Sequence, residues 1–258
     1  MSSPKLNGHR KWKRALPWLG FAIVIAVWWM LAEFHVVNPL YLASLQDTSA
    51  ELWRLLAKGT LPHDMADSLR RIFISLGLSI AIGLPLGLFL GLAESVNRLL
   101  QGFTDFLRSI PPIIVYPICQ FIFGPLDASR IAVAVFGATS IIVLNTSEGV
   151  RNCSKLRQQT NRLLGAKWHH VICGIILFES LPAIIVAIRS ALSLCIIIVT
   201  VTQMLVGAPH ALGSRLVNAQ ISYSTAELFA LIILIGFIGF ASNWVLIAIE
   251  RIVVHWRR

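Results

Sequence analysis

The sequence predicts an all-α integral membrane protein of six transmembrane helices, and three observations predict it. Of its 258 residues 56% are hydrophobic and only 13% are charged, and the mean hydropathy is +0.75, far from the balance of a soluble domain. The apolar residues gather in runs close to the roughly 20 residues that cross the hydrocarbon layer as a helix. Lys and Arg gather between those runs, with few aromatic residues beside them to stack on bases. The net charge of +10 therefore reads as a membrane topology signal and not as a nucleic-acid surface.

Residues 1–16 form a basic N-terminus. The apolar run at 17–37 is too long for a secretory signal, contains Glu33 and offers no small-residue cleavage site, so it is expected to remain as the first span. Residues 38–66 follow as an external amphipathic segment, in which Leu45, Leu52, Trp53, Leu55 and Leu56 share a helix lying on the membrane surface and Asp47 or Ser49 caps it. A five-helix core is expected at 67–250, with spans at 72–93, 104–124, 129–146, 181–206 and 227–249, before a basic tail at 251–258. Pro111, Pro112 and Pro117 interrupt the 104–124 span and require a kink packed against protein or a watery path. In the 72–93 span Ser79, Gly83, Gly87 and Gly91 recur every fourth residue and clear one helix face for close packing. With the N-terminus inside, the outer side holds only Arg54, Lys58, Arg70, Arg71, Arg130 and Arg215, so both ends are expected in the cytoplasm.

Chemistry-bearing groupings are sparse. Cys119, Cys153, Cys173 and Cys195 form no CxxC, adjacent His169 and His170 point about 100° apart on a helix, and no metal-ligand spacing or Ser, His and Asp grouping stands out. No GxxxxGK[ST] is present to cradle a nucleotide. The chain is expected to be no enzyme and to hold no cofactor or metal. Arg189 is the one basic residue well inside a span, where a charge is costly and marks a functional site by default; it would meet an anionic solute or pair with another helix.

The segment 150–178 is too polar for lipid and too apolar for a plain loop. Ser154 can cap a helix running to Leu164, Gly165 can end it, and a second short helix can begin at Ala166, with Leu164, Trp168, Val171 and Ile175 forming a ridge beside basic residues. Such a ridge suits a groove on a partner protein or the lipid headgroup layer equally.

Several pieces carry a family resemblance: SLRR at 68–71, GLPLGLFLGL at 83–92, RSIPPIIVYPICQFIFG at 108–124, LNTSEGVR at 144–151, LLGAKW at 163–168 and LP at 181–182. In this order and spacing they resemble the permeases of binding-protein-dependent ABC importers of the type I fold, in the branch that handles nitrate, sulfonates, taurine and bicarbonate. The resemblance covers most of the chain from about residue 50 onward. It implies that 150–178 is a coupling loop docking on a separate ATPase subunit through Gln159, Thr160, Asn161, Arg162, Leu164, Gly165, Ala166, Lys167 and Trp168. Gln159, Thr160 and Asn161 stand where the family has Glu-Ala-Ala, Phe178 where a proline is usual, and Gln203 where a Glu is common. The resemblance further implies ATP and Mg on the partner, a second permease copy or homologue, an external solute-binding protein and the bacterial inner membrane. Arg189, Gln203, Met204, Pro112 and Pro117 are the candidate pathway residues. An ATP-independent transporter or channel, and a non-transporting permease homologue, are the alternatives.

Overall fold

The computed structural model describes residues 8–34, 36–38, 40–57, 59–154 and 168–254. The chain divides into two compact units, residues 1–60 with 216–233, and residues 61–215 with 234–258.

In the first unit α1 (Gly8–Glu33) and α2 (Leu45–Ala57) precede the end of α9 (Leu212–Ile221) and the start of α10 (Thr225–Val253). Trp28 fixes α1 by stacking on Phe229, centroids 5.4 Å apart, while its indole N–H donates to the Ala43 carbonyl at 3.2 Å. The Thr225 hydroxyl donates to the Leu40 carbonyl at 2.8 Å. The cap of α2 is Ser44, not Asp47 or Ser49: its hydroxyl oxygen accepts the Asp47 N–H at 3.0 Å and its proton goes to the Asp47 carboxylate at 2.7 Å. The helix starts earlier than expected because this reciprocal pair satisfies first-turn donors. The expected apolar face is split, with Leu55 buried and Trp53 75% exposed.

In the second unit α3 (Thr60–Leu92), α6 (Asp127–Arg151) and α8 (Leu177–Val206) build the core together with the short α5 (Tyr116–Phe123). The fully enclosed residues are Val133, Ala134, Ala138 and Ile142 of α6 against Ala191, Leu192, Cys195 and Val199 of α8, with Ile72 and Leu76 from α3 and Tyr116 from α5. Glycines set the approach. A Cβ on Gly83 would lie 2.9 Å from the Ile142 Cβ, on Gly87 2.7 Å from the Thr146 Cβ, and on Gly91 2.5 Å from the Val150 Cβ, so α3 runs parallel to α6 at near backbone contact. Gly149 meets Ala183 and Gly137 meets Ile198, which makes α6 and α8 antiparallel.

Four helices among the described residues are long and apolar enough to cross a membrane: Leu61–Leu92, Asp127–Arg151, Gly174–Val206 and Thr225–Ile252. The apolar stretch Leu19–Glu33 of α1 is shorter. The expected span 104–124 is sharply bent at its prolines. It is the end of α4 (Glu94–Ser109) followed by a 3-10 turn Pro112–Val115 and α5, the two halves bent by 87°. The corner is forced because Ile110, preceding Pro111, takes an extended ψ of 117° and Pro111 one of 121°. On α4 the exposed Leu99, Phe103 and Phe106 recur at helical spacing along one face.

Close packing through Gly87 makes a signed prediction. Alanine normally gains up to about 1 kcal/mol over glycine inside a helix, and Gly77 has open space around it, so Gly77→Ala should hold or raise the unfolding temperature in detergent. Gly87→Ala should lower it, by an overpacking cost of about 1–3 kcal/mol.

Candidate functional site

The site expected in 150–178 begins and ends on the two central helices. At the end of α6 the Cys153 thiol points at the carbonyls of Gly149 (3.4 Å) and Ile176 (3.6 Å), and the Ser154 N–H donates to the Glu179 carboxylate at 2.9 Å. Glu179 lies in the first turn of α8, where the helix dipole favours a carboxylate. Val150, Cys153, Val171 and Ile176 close into a small apolar core, with Leu88 and Leu92 of α3 packed on it. The described residues on either side of 155–167 are therefore held together by one clasp.

Gln159, Thr160, Asn161, Arg162, Leu164, Gly165, Ala166 and Lys167 lie outside the described residues, as does the helix Ser154 was expected to cap. Trp168 opens α7 (Trp168–Val171), and its side chain is outside the description too. The expectation of a separate second helix needs correction: α7 passes through a π-helical turn, Ile172–Ile176, straight into α8. The expected outward ridge needs correction as well. Val171 is fully buried and Ile175 packs on the same cluster, so these two hold the helix to the bundle. Burial, with Glu179 adding to it, pushes the Cys153 thiol up to about 11.

Arg189 is half-buried, and its charge is matched. Its Nε donates to Asn243 Oδ1 at 3.0 Å, and Nη1 donates to Glu250 Oε2 at 3.2 Å. Together with Ser190, Ser193, Gly239 and Asn243 it lines a groove of about 510 Å³ between α8 and α10. Glu179, ten residues away, is engaged elsewhere by Ser154.

The remaining pathway candidates fall apart in space. Gln203 is fully buried, its Oε1 accepting the Ser68 hydroxyl at 3.3 Å and the Gly213 N–H at 3.2 Å. There it ties the start of α9 to α3 and α8; a Cβ on Gly213 would stand 2.3 Å from the Thr200 carbonyl. Met204, beside it, is half-buried. Pro112 packs onto Gly137 and Pro117 sits exposed in the first turn of α5. Ser79 is buried and its hydroxyl donates back to the Ser75 carbonyl at 2.7 Å.

At the end opposite the clasp, Asp127 gathers three cations: Arg71 at 2.8 Å, Arg130 at 3.0 Å and Arg70 at 3.3 Å. Arg71 and Arg130 are buried and also donate to the carbonyls of His210 and Gly207. Arg215 pairs with Asp64 at 2.7 Å. The fold also brings His63, Asp64 and His210 together, with one ligand atom from each within 4.8 Å of the others. Sequence spacing gave no metal-ligand pattern there because His210 lies far along the chain from the other two.

A family model described as "Binding-protein-dependent transport system inner membrane component" matches residues 83–258. A probable ABC transporter permease protein of Brucella abortus (strain 2308) is 28% identical over 93% of this chain and 94% of its own length. The taurine transport system permease protein of Escherichia coli (strain K12) is 26% identical over 91% of this chain and 87% of its own. Among solved structures, an inward-facing form of the MetNI methionine ABC transporter superposes with a TM-score of 0.64 at 22% identity, over 77% of this chain and 96% of that one. That likeness shows the fold of a type I importer permease.

At pH 8 the Cys153 thiol remains protonated, so a maleimide should leave it unlabelled in the folded protein and label it after denaturation, as peptide mass spectrometry would show. Arg189→Gln strands the Glu250 carboxylate; breaking a fully buried pair costs roughly 3–5 kcal/mol, and with about a third of each side chain open the cost should be ~1–3 kcal/mol. Arg189→Gln with Glu250→Gln should recover most of that stability in thermal unfolding.

Proposed function

Because the chain belongs to the family of binding-protein-dependent transport system inner membrane components, we propose that it is the permease subunit of an ATP-driven importer for a small anionic solute of the sulfonate, bicarbonate or nitrate kind. The taurine permease among its relatives supports the sulfonate end of that range. In this reading the subunit is not an enzyme. ATP and Mg bind a separate ATPase, an external solute-binding protein delivers the solute, and a second copy or a homologous permease completes the path. Both termini face the cytoplasm of a bacterial inner membrane, as the Lys and Arg distribution supports.

The observation that carries the proposal is the clasp around 155–167. A push on that segment is delivered to α6 and α8 together, because Ser154 is bonded to Glu179 and Val150 and Cys153 pack on Val171 and Ile176. Those two helices form the centre of the core, so the force reaches the bundle and is not lost in a loose loop. Gln159, Thr160, Asn161, Arg162, Leu164, Gly165, Ala166, Lys167 and Trp168 supply the docking surface. Gln159 in place of a carboxylate keeps hydrogen bonding to the ATPase but loses the charge-assisted part, roughly half its strength.

Tagged chain should bring down an ATP-hydrolysing subunit, and a photocrosslinker at Lys167 should reach it; recovery of lipid adducts alone would remove the coupling role. Glu179→Gln should leave that assembly intact while lowering solute-stimulated ATP hydrolysis about tenfold, the equivalent of ~1.4 kcal/mol of lost charged hydrogen bonding.

A further inference from the structure

We propose that His63, Asp64 and His210 form a binding site for a divalent transition-metal cation of the zinc class, at the end of the bundle opposite the clasp. The first turns of α3 place His63 and Asp64 side by side, and the connection between α8 and α9 places His210 against them. The two imidazoles meet edge to face, centroids 4.4 Å apart, and both side chains are open, 60% and 64% exposed. His210 Nδ1 stands 3.6 Å from Asp64 Oδ1.

The framework around these atoms is fixed while the imidazoles are free to turn. His210 holds a φ of +51°, a left-handed conformation that costs a non-glycine residue about 1–3 kcal/mol and persists only when its surroundings impose it. The Arg71 guanidinium donates to its carbonyl at 3.4 Å. Asp64 is 11% exposed at its side chain and is oriented by Arg215, which takes Oδ2 at 2.7 Å and leaves Oδ1 facing the histidines. Asp67 stands 4.0 Å from His63 Nδ1, where a carboxylate sets the tautomer of a ligating imidazole. Ligand atoms on one tetrahedral zinc sit about 2.0–2.1 Å from it. Atoms already within 4.8 Å of one another reach that sphere by rotation of the two exposed imidazoles towards Asp64, without backbone movement.

The donor set selects the cation. Two imidazoles and one carboxylate suit zinc, copper, nickel or cobalt, whereas magnesium and calcium demand more oxygen ligands. Arg215 and Arg71 beside the site also disfavour a hard cation held by charge alone. Three protein ligands leave a fourth position for water or an external group. A bound ion would join the start of α3 to the connection before α9.

The site stands apart from the transport reading and is tested without it. Full-length chain in nanodiscs is titrated with Zn2+ calorimetrically and with Co2+ by visible absorption. One equivalent of zinc should bind, with calcium and magnesium failing to compete. His63→Ala and His210→Ala should each weaken zinc at least about tenfold and lose the cobalt bands, while keeping the metal-free unfolding temperature. Equal affinity in wild type and both variants, loss only on replacing His169 and His170, or no binding by wild type would each overturn the proposal.

Discussion

Near-contact between the backbones of α3, α6 and α8 is the constraint on which the second unit rests. Helices in lipid gain little from burying apolar surface against one another, because lipid tails are as apolar as leucine; what remains is close van der Waals contact and a few interhelical hydrogen bonds. Gly83, Gly87 and Gly91 provide that contact along the second half of α6, and Gly149 and Gly137 provide it towards α8. One methyl group at the middle of this seam separates two helices. With α6 held on both sides, its last turn and the start of α8 become fixed points.

The same geometry explains the distribution of charge. On the sequence the arginines at 70, 71, 130 and 215 look like exceptions to a topology rule, but in space they serve two carboxylates, Asp127 and Asp64. They lock the starts of α3 and α6 to the connections at the far end of α8. Arg189 is likewise matched by Glu250 and Asn243.

Much of this was legible in the sequence because it rests on local periodicity. The every-fourth-residue glycines located a real packing seam, and long apolar runs located α3, α6, α8 and α10. The prolines at 111, 112 and 117 marked the interrupted segment, although an apolar count could not give the sharpness of its 87° bend. What stayed hidden depends on partners far apart in the chain. Glu250 for Arg189, Ser68 for Gln203 and His210 for His63 have no spacing signature. The ridge read around Trp168 failed in part for the same reason, since helical spacing gives a face but not its neighbour, and Val171 faces Val150 and Cys153.

If α6 and α8 act as one stiff lever for the segment they flank, the distance between their facing ends stays fixed through the transport cycle. Spin labels at the exposed positions Glu148 and Phe178, read by pulsed electron resonance with and without ATP and solute in the assembled complex, test it directly. A stiff lever gives one narrow distance that does not change while the complex turns over. A distance that shifts by about one helical turn, ~5.4 Å, or splits in two would contradict it.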